Sequence, residues 1–206
     1  MCQLITSASR FFLILVLLLT VGSTAYAEKP LPPQFDADRA VALVRGLTEA
    51  DDSAAGSFAA LSSEDQALVQ WALQQEYVTS ETSELPVKDA SIEAGGCRAV
   101  IMTRSAYSPV GVKLWSYNQQ MNWCYNGSTV TSRYWNRWGE VHAPFWSFQR
   151  HIGLSQTGGV GYSSFYSWTQ GAFRLCLTTN VGCVQQAVPY VWQRGYGSGA
   201  YQSGGG

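Results

Sequence analysis

The sequence predicts a mainly β protein: an antiparallel β-sandwich or barrel of about seven strands, preceded by a short acidic helical region. Three observations carry this. Hydrophobic periodicity changes from helical to two near Cys97. Gly and Pro then punctuate the chain at short intervals. The charge also changes sign at that point. Residues 97–206 hold eight cations and one acid, Glu140, a balance of +7, whereas residues 28–96 hold four cations and thirteen acids, a balance of −9. The whole-chain charge of −1 hides this asymmetry. It points to a polyanionic partner for the C-terminal part, or to one half masking the other.

Residues 1–27 read as a secretory signal. Arg10 precedes the apolar run 11–19, and Ala25, Tyr26 and Ala27 form a small-x-small cleavage site. The run is shorter than the ~20 apolar residues needed to span a bilayer. The expected product is a secreted chain, extracellular or bound at the cell surface, beginning at Glu28. It keeps Cys97, Cys124, Cys176 and Cys183. An even cysteine count in an oxidising compartment reads as two disulfides, with three pairings open. Spacing favours local staples, since Cys176 and Cys183 flank a turn-like segment, which leaves Cys97 for Cys124.

The acidic region, 28–94, contains two helix candidates. Residues 36–47 place Ala40, Leu43, Val44 and Leu47 at helical spacing. Residues 62–77 open on the capping-box pairs Ser62 with Asp65 and Ser63 with Gln66, and acids crowd the first turn. Residues 78–94 lack aromatics and read as a linker, closed by Gly95 and Gly96.

The β-domain, 95–206, is clearest at 113–125. Lys113, Trp115, Tyr117, Gln119, Met121, Trp123 and Tyr125 share one face, and Leu114, Ser116, Asn118, Gln120, Asn122 and Cys124 the other. Asn126 and Gly127 form a hairpin signal, and 128–138 returns. Further strands are expected at 97–104, 140–148, 161–168, 172–178 and 183–194. The Gly-rich tail, 195–206, is expected to fray after its last strand pairing.

Seven Trp, nine Tyr and four Phe lie within 97–206, more than one small core requires. The densest mixture of rings and cations is Arg133, Tyr134, Trp135, Arg137 and Trp138. Rings stack on apolar sugar faces, and guanidinium groups take phosphate or carboxylate. These five residues are therefore the expected binding set. Basic charge with interleaved aromatics also suits nucleic acid, but the export signal argues against a specific intracellular nucleic-acid role.

Catalytic constellations are sparse. A glycosidase of ordinary type needs two carboxylates, and the β-domain has only Glu140. A Ser-His-Asp triad lacks its Asp, and no G-x-S-x-G elbow occurs. The remaining candidates are Glu140 and His142, two apart on a strand, with His151 nearby, as an acid/base pair or metal ligands. The cysteines lack C-x-x-C spacing, so no metal or cofactor is expected.

Several segments together carry a resemblance. They are Gly96 to Val100, Leu114-Trp115, Trp123 to Gly127, Val181 to Cys183 followed by Tyr190, and Leu61 to Leu68. In these the chain resembles small exported actinobacterial proteins with a Trp- and Cys-rich β domain and no assigned activity. The resemblance implies an all-β exported module and transfers no catalytic residue.

The expected function is a secreted, non-catalytic binding module for a glycan or anionic envelope polymer. Two alternatives stand beside it. One is an exported antimicrobial or toxin-like protein with residues 28–96 as an acidic pro-segment. The other is a hydrolase centred on Glu140 and His142.

Overall fold

The computed structural model describes residues 36–86, 95–178 and 182–206. The expected signal at 1–27 and the later part of the expected linker, 87–94, lie outside the described residues.

Helix α1 (Ala37–Glu49) starts where Asp36 accepts the Arg39 amide at 3.0 Å. Its Ala40, Val44 and Leu47 are buried at helical spacing, as the pattern predicts. A short 3₁₀ turn (Asp51–Ser53) and α2 (Ala54–Ala59), both unforeseen in the sequence, lead to α3 (Ser63–Ala72). The N-cap half of the predicted box forms there, since Ser62 Oγ accepts the Asp65 amide at 3.1 Å; the Asp65 carboxylate takes its bond from the Ser62 hydroxyl, also at 3.1 Å, rather than from the Ser62 amide. Helix α3 ends five residues before the expected Tyr77, because Tyr77 opens a strand.

That strand, β1 (Tyr77–Leu85), corrects the reading of 78–94 as a linker. It pairs antiparallel with β2 (Gly96–Tyr107) over nine residue pairs. Its alternating Thr, Ser and Glu suit a solvated edge strand rather than a flexible tether. Strand β3 (Lys113–Tyr125) has the predicted bounds, and β4 (Val130–Val141) returns after the hairpin. There Gly127 takes φ 96°, while the Asn126 side chain accepts the amides of Ser128 and Thr129.

The strand expected at 140–148 is instead a corner. Strand β4 ends at Val141, Phe145 takes φ 67°, and β5 (Trp146–Gly158) begins the second sheet. The segments at 161–168 and 172–178 are one strand, β6 (Ser164–Thr178). The run 183–194 is two, β7 (Gly182–Ala187) and β8 (Tyr190–Tyr196), separated by Val188 and Pro189, where proline cannot donate to a ladder. The Gly-rich tail, expected to fray, supplies β9 (Tyr201–Gly205) on the edge of β8.

The result is two antiparallel sheets, β1-β2-β3-β4 and β5-β6-β8-β9 with β7 also on β6, consistent with a sandwich and without a closed barrel. Trp115, Tyr117, Gln119, Met121 and Trp123 of β3 are buried between the sheets, so of the two faces that alternation separates theirs is the inward one. Tyr117 Oη meets Thr169 Oγ1 at 2.9 Å, and Gln119 and Gln193 donate to Ser167 O and Val100 O, which ties the sheets together. The helices share this core. Ala40, Val44, Phe58 and Leu73 pack in one cluster with Trp115, Trp146 and Phe173. Trp146 Nε1 donates to Leu73 O at 2.9 Å, and Phe58 sits edge-on to Phe145. Both disulfides are cross-strand staples: Cys97 faces Cys124 in the β2–β3 register, and Cys176 faces Cys183 in the β6–β7 register.

Candidate functional site: an aromatic and arginine face

Strand β6 buries Phe165, Ser167, Thr169, Phe173 and Leu175 between the sheets. Strict alternation therefore turns Tyr166, Trp168, Gln170 and Arg174 outward. Strand β8 buries Val191 and Gln193, and so presents Tyr190, Trp192, Arg194 and Tyr196. The register sets Trp168 beside Trp192, Tyr166 beside Arg194 and Gln170 beside Tyr190. Successive rows are ~6.7 Å apart along the strands.

The rings pack diagonally across the two strands. Tyr166 and Trp192 lie 6.2 Å apart between centroids, and Trp168 and Tyr190 likewise 6.2 Å. Neighbouring strands make room for them. A Cβ on Gly153 of β5 would come within 2.6 Å of the Trp168 ring, and one on Gly204 of β9 within 2.8 Å of Trp192 Nε1. Each indole thus leans over a glycine and keeps a partly exposed face.

The charge on this sheet has one sign. Every Asp and Glu of the chain lies at or before Glu140, so β5 to β9 contain none. Their three cations, Arg150, Arg174 and Arg194, all fall on the outward face with the rings. The Arg194 guanidinium lies 5.2 Å from the Tyr166 centroid, and its buried Nε has no hydrogen-bond partner. The described acids sit on the helices and their N-caps, on or just before β1, and at Glu140 in the other sheet. Among the described residues, Arg98 is the one cation after residue 96 in an ion pair, with Glu84 at 3.5 Å.

The five residues expected to bind are split by the pleat of β4. Arg133, Trp135 and Arg137 turn towards the other sheet, whereas Tyr134 and Trp138 turn away from it. Arg133 covers the buried Phe165 ring at 4.6 Å. Arg137 donates through Nη1 to Gly153 O at 2.7 Å and Thr169 Oγ1 at 2.8 Å, and stacks on Trp135 at 5.5 Å. Its guanidinium serves as a tie between sheets. The sequence signal for the face actually assembled was present, in the alternation Tyr166-x-Trp168 and Tyr190-x-Trp192-x-Arg194. Only the pairing of β6 with β8 joins the two runs.

Glu140, near the end of β4, and His142, just past that end, come together as expected, and both meet Ser116 Oγ at 2.9 Å. Ser116 is fully buried and has one hydroxyl proton. Given to the Glu140 carboxylate, it leaves Ser116 to accept from His142 Nε2–H. Burial raises the Glu140 pKa, but hydrogen bonds from Ser116, Trp138 and Asn118, with His142 nearby, outweigh it and hold the group below the ordinary carboxylate value. Burial, then Lys113, holds His142 low, against the pull of Glu140. His151 lies apart, in the other sheet. Its Nδ1 meets Tyr117 Oη at 2.9 Å, and burial with Arg137 holds its pKa low. Burial also raises the Tyr117 pKa, against Thr169 and Arg137. Among the described residues no three of His, Cys, Asp and Glu are grouped as metal ligands.

No known protein family, curated protein or solved structure matches the chain. The chemistry of the site therefore rests on its own geometry. Two disulfides fit a protein that works outside the reducing cytoplasm, and no described helix is long and apolar enough to cross a membrane.

Proposed function

We propose that the chain is an exported, non-catalytic binding module that holds an anionic glycan or envelope polymer on the outer face of its five-stranded sheet. One observation carries this reading: Tyr166, Trp168, Tyr190 and Trp192 share an open face with Arg194 on a sheet that has no acid. Rings offer flat apolar area to sugar faces, and arginines contribute charge-assisted hydrogen bonds to carboxylate, sulfate or phosphate. Export is supported by the signal-like 1–27 and the disulfides. The non-catalytic reading is supported by the buried Ser116, whose one hydroxyl engages both Glu140 and His142. Retention of the acidic segment, rather than its removal as a pro-segment, is supported by the core it shares with Trp115 and Trp146.

The test is titration of the chain from Glu28 with polygalacturonate, heparin and polyphosphate, with duplex DNA as a comparison. Binding is expected to at least one anionic polymer, weakening steadily between about 50 mM and about 500 mM salt as exposed charges are screened. Absence of binding to all three at low salt contradicts the proposal.

A further inference from the structure

We infer that the outer face of the four-stranded sheet is a second binding surface, separate from the arginine face, and that it takes uncharged oligosaccharide. Strand β3 turns Asn118, Gln120 and Asn122 to this side, and β4 sets Trp138, Asn136 and Tyr134 beside them in register. A row of amides thus runs along a row of two rings ~13 Å apart. Strand β2 places Thr103, Ile101 and Ala99 next in the same rows. The small Ala99 opens a groove of about 450 Å³, lined by Leu85, Ala99, Gln120, Asn122, Ser132 and Tyr134.

The groups in this groove are arranged for hydroxyls. Gln120 Nε2 donates to Asn122 Oδ1 at 2.9 Å. That leaves Gln120 Oε1 as an acceptor and Asn122 Nδ2 as a donor, neither with a partner among the described residues. A sugar hydroxyl both donates and accepts, so a vicinal pair satisfies both atoms. Tyr134 is 57% exposed and offers a ring beside them. Trp138 stands two residues from Glu140 on the same face of β4. Glu140 accepts from Ser116 and Asn118, and Asn118 from Thr103 at 2.8 Å, so the polar groups beside Trp138 are pre-organised.

Charge separates this face from the other. Glu81 and Glu140 lie on it, and Arg98, which borders the groove, is paired with Glu84. An anionic polymer meets repulsion here, and a neutral one does not.

The test is calorimetry of the full chain from Glu28 with cellohexaose, chitohexaose and mannohexaose, run in parallel with the anionic polymers. At least one neutral hexaose is expected to bind, with affinity unchanged between low and high salt. Tyr134→Ala should weaken it about tenfold, the equivalent of one lost ring stack. Asn122→Ala should also weaken it, and Trp168→Ala/Trp192→Ala should leave it unchanged. An unaltered melting temperature for Tyr134→Ala confirms that the loss is one of contact. Binding of none of the three at 10 mM overturns the inference, as does binding that is lost with Trp168 and Trp192 but kept without Tyr134. Because the anionic polymers are measured separately, failure here leaves the reading of the five-stranded face standing or falling by itself.

Discussion

If the acidic segment is part of the fold, Phe58→Ala should unpack the β-domain. Phe58 is 3% exposed in α2 and sits edge-on to Phe145 at 5.4 Å, inside the cluster that also holds Trp115 and Trp146. Truncating a buried Phe costs ~3–5 kcal/mol through lost transfer energy and the cavity left behind. For a chain of this size each kcal/mol lowers Tm by ~2–4 °C, so the expected drop is ~6–20 °C. Starting the chain at Cys97 is more severe. It removes every helical member of the core and β1, one of the two strands paired with β2. It also leaves Trp146 Nε1 without Leu73 O, a buried donor whose loss of partner costs ~1–3 kcal/mol. Total stabilities are only ~5–15 kcal/mol, so the 97–206 fragment should not fold cooperatively even with both disulfides closed. Calorimetry and near-UV circular dichroism of the two proteins check this. A fragment that melts at the temperature of the longer chain, or a Phe58→Ala variant within about 2 °C of it, refutes the reasoning and restores residues 28–96 as a removable pro-segment.

Three further outcomes are expected. The chain from Glu28 should contain no free thiol and gain four hydrogens on reduction. Loop-closure entropy makes Cys97–Cys124, separated by 27 residues, worth ~3.5 kcal/mol, and Cys176–Cys183, separated by 7, ~2.4 kcal/mol. Two alkylatable thiols in the native protein would contradict this, as would equal losses for the two cysteine pairs. His142 and His151 both have pKa values held low by burial, with Lys113 and Arg137 respectively beside them. The unfolded chain therefore takes up protons first, and Tm should fall as pH drops below ~6.5. The slope should be shallower in His142→Gln/His151→Gln, and a Tm that rises on acidification across that range rejects the assignment. Gly153→Ala puts a methyl against the outer edge of the Trp168 ring, which can swing outward. Polymer binding should weaken while Tm holds or rises slightly, since alanine lowers the entropy of the unfolded chain. Unchanged affinity would mean that the tilt of the ring does not matter.

Much of the fold was legible because it rests on local rules. Alternation along β3 marked its bounds and sorted its residues onto two faces, and Asp36 and Ser62 marked the two larger helices. The misreadings arise where tertiary pairing overrides composition. Tyr77 to Leu85 is polar enough to pass for a linker, yet it lies on a free edge of β2 that needs a partner. The Gly-rich tail forms β9 because β8 offers it an edge, with Gly204 fitting beneath Trp192. The proposed binding face was hidden in the sequence for the same reason. Sequence density picked out residues 133–138, but a strand alternates its faces, so neighbours in sequence became opposites in space. Trp168 and Trp192, 24 positions apart, became neighbours through a register that no local pattern encodes.

In the proposed function the outer face of the five-stranded sheet, and not the arginines of β4, holds the anionic polymer. The most direct measurement compares two double variants of the chain from Glu28 in affinity for whichever anionic polymer the parent binds. Trp168→Ala/Trp192→Ala removes two partly exposed rings, and stacked rings are worth ~1–3 kcal/mol each, so affinity should fall ~30-fold or more. Arg133→Ala/Arg137→Ala removes cations that cover Phe165 and bridge Gly153 and Thr169, so it should lower Tm while leaving affinity within about threefold. The reverse pattern, with binding lost with the two arginines and kept without the two tryptophans, would contradict the account.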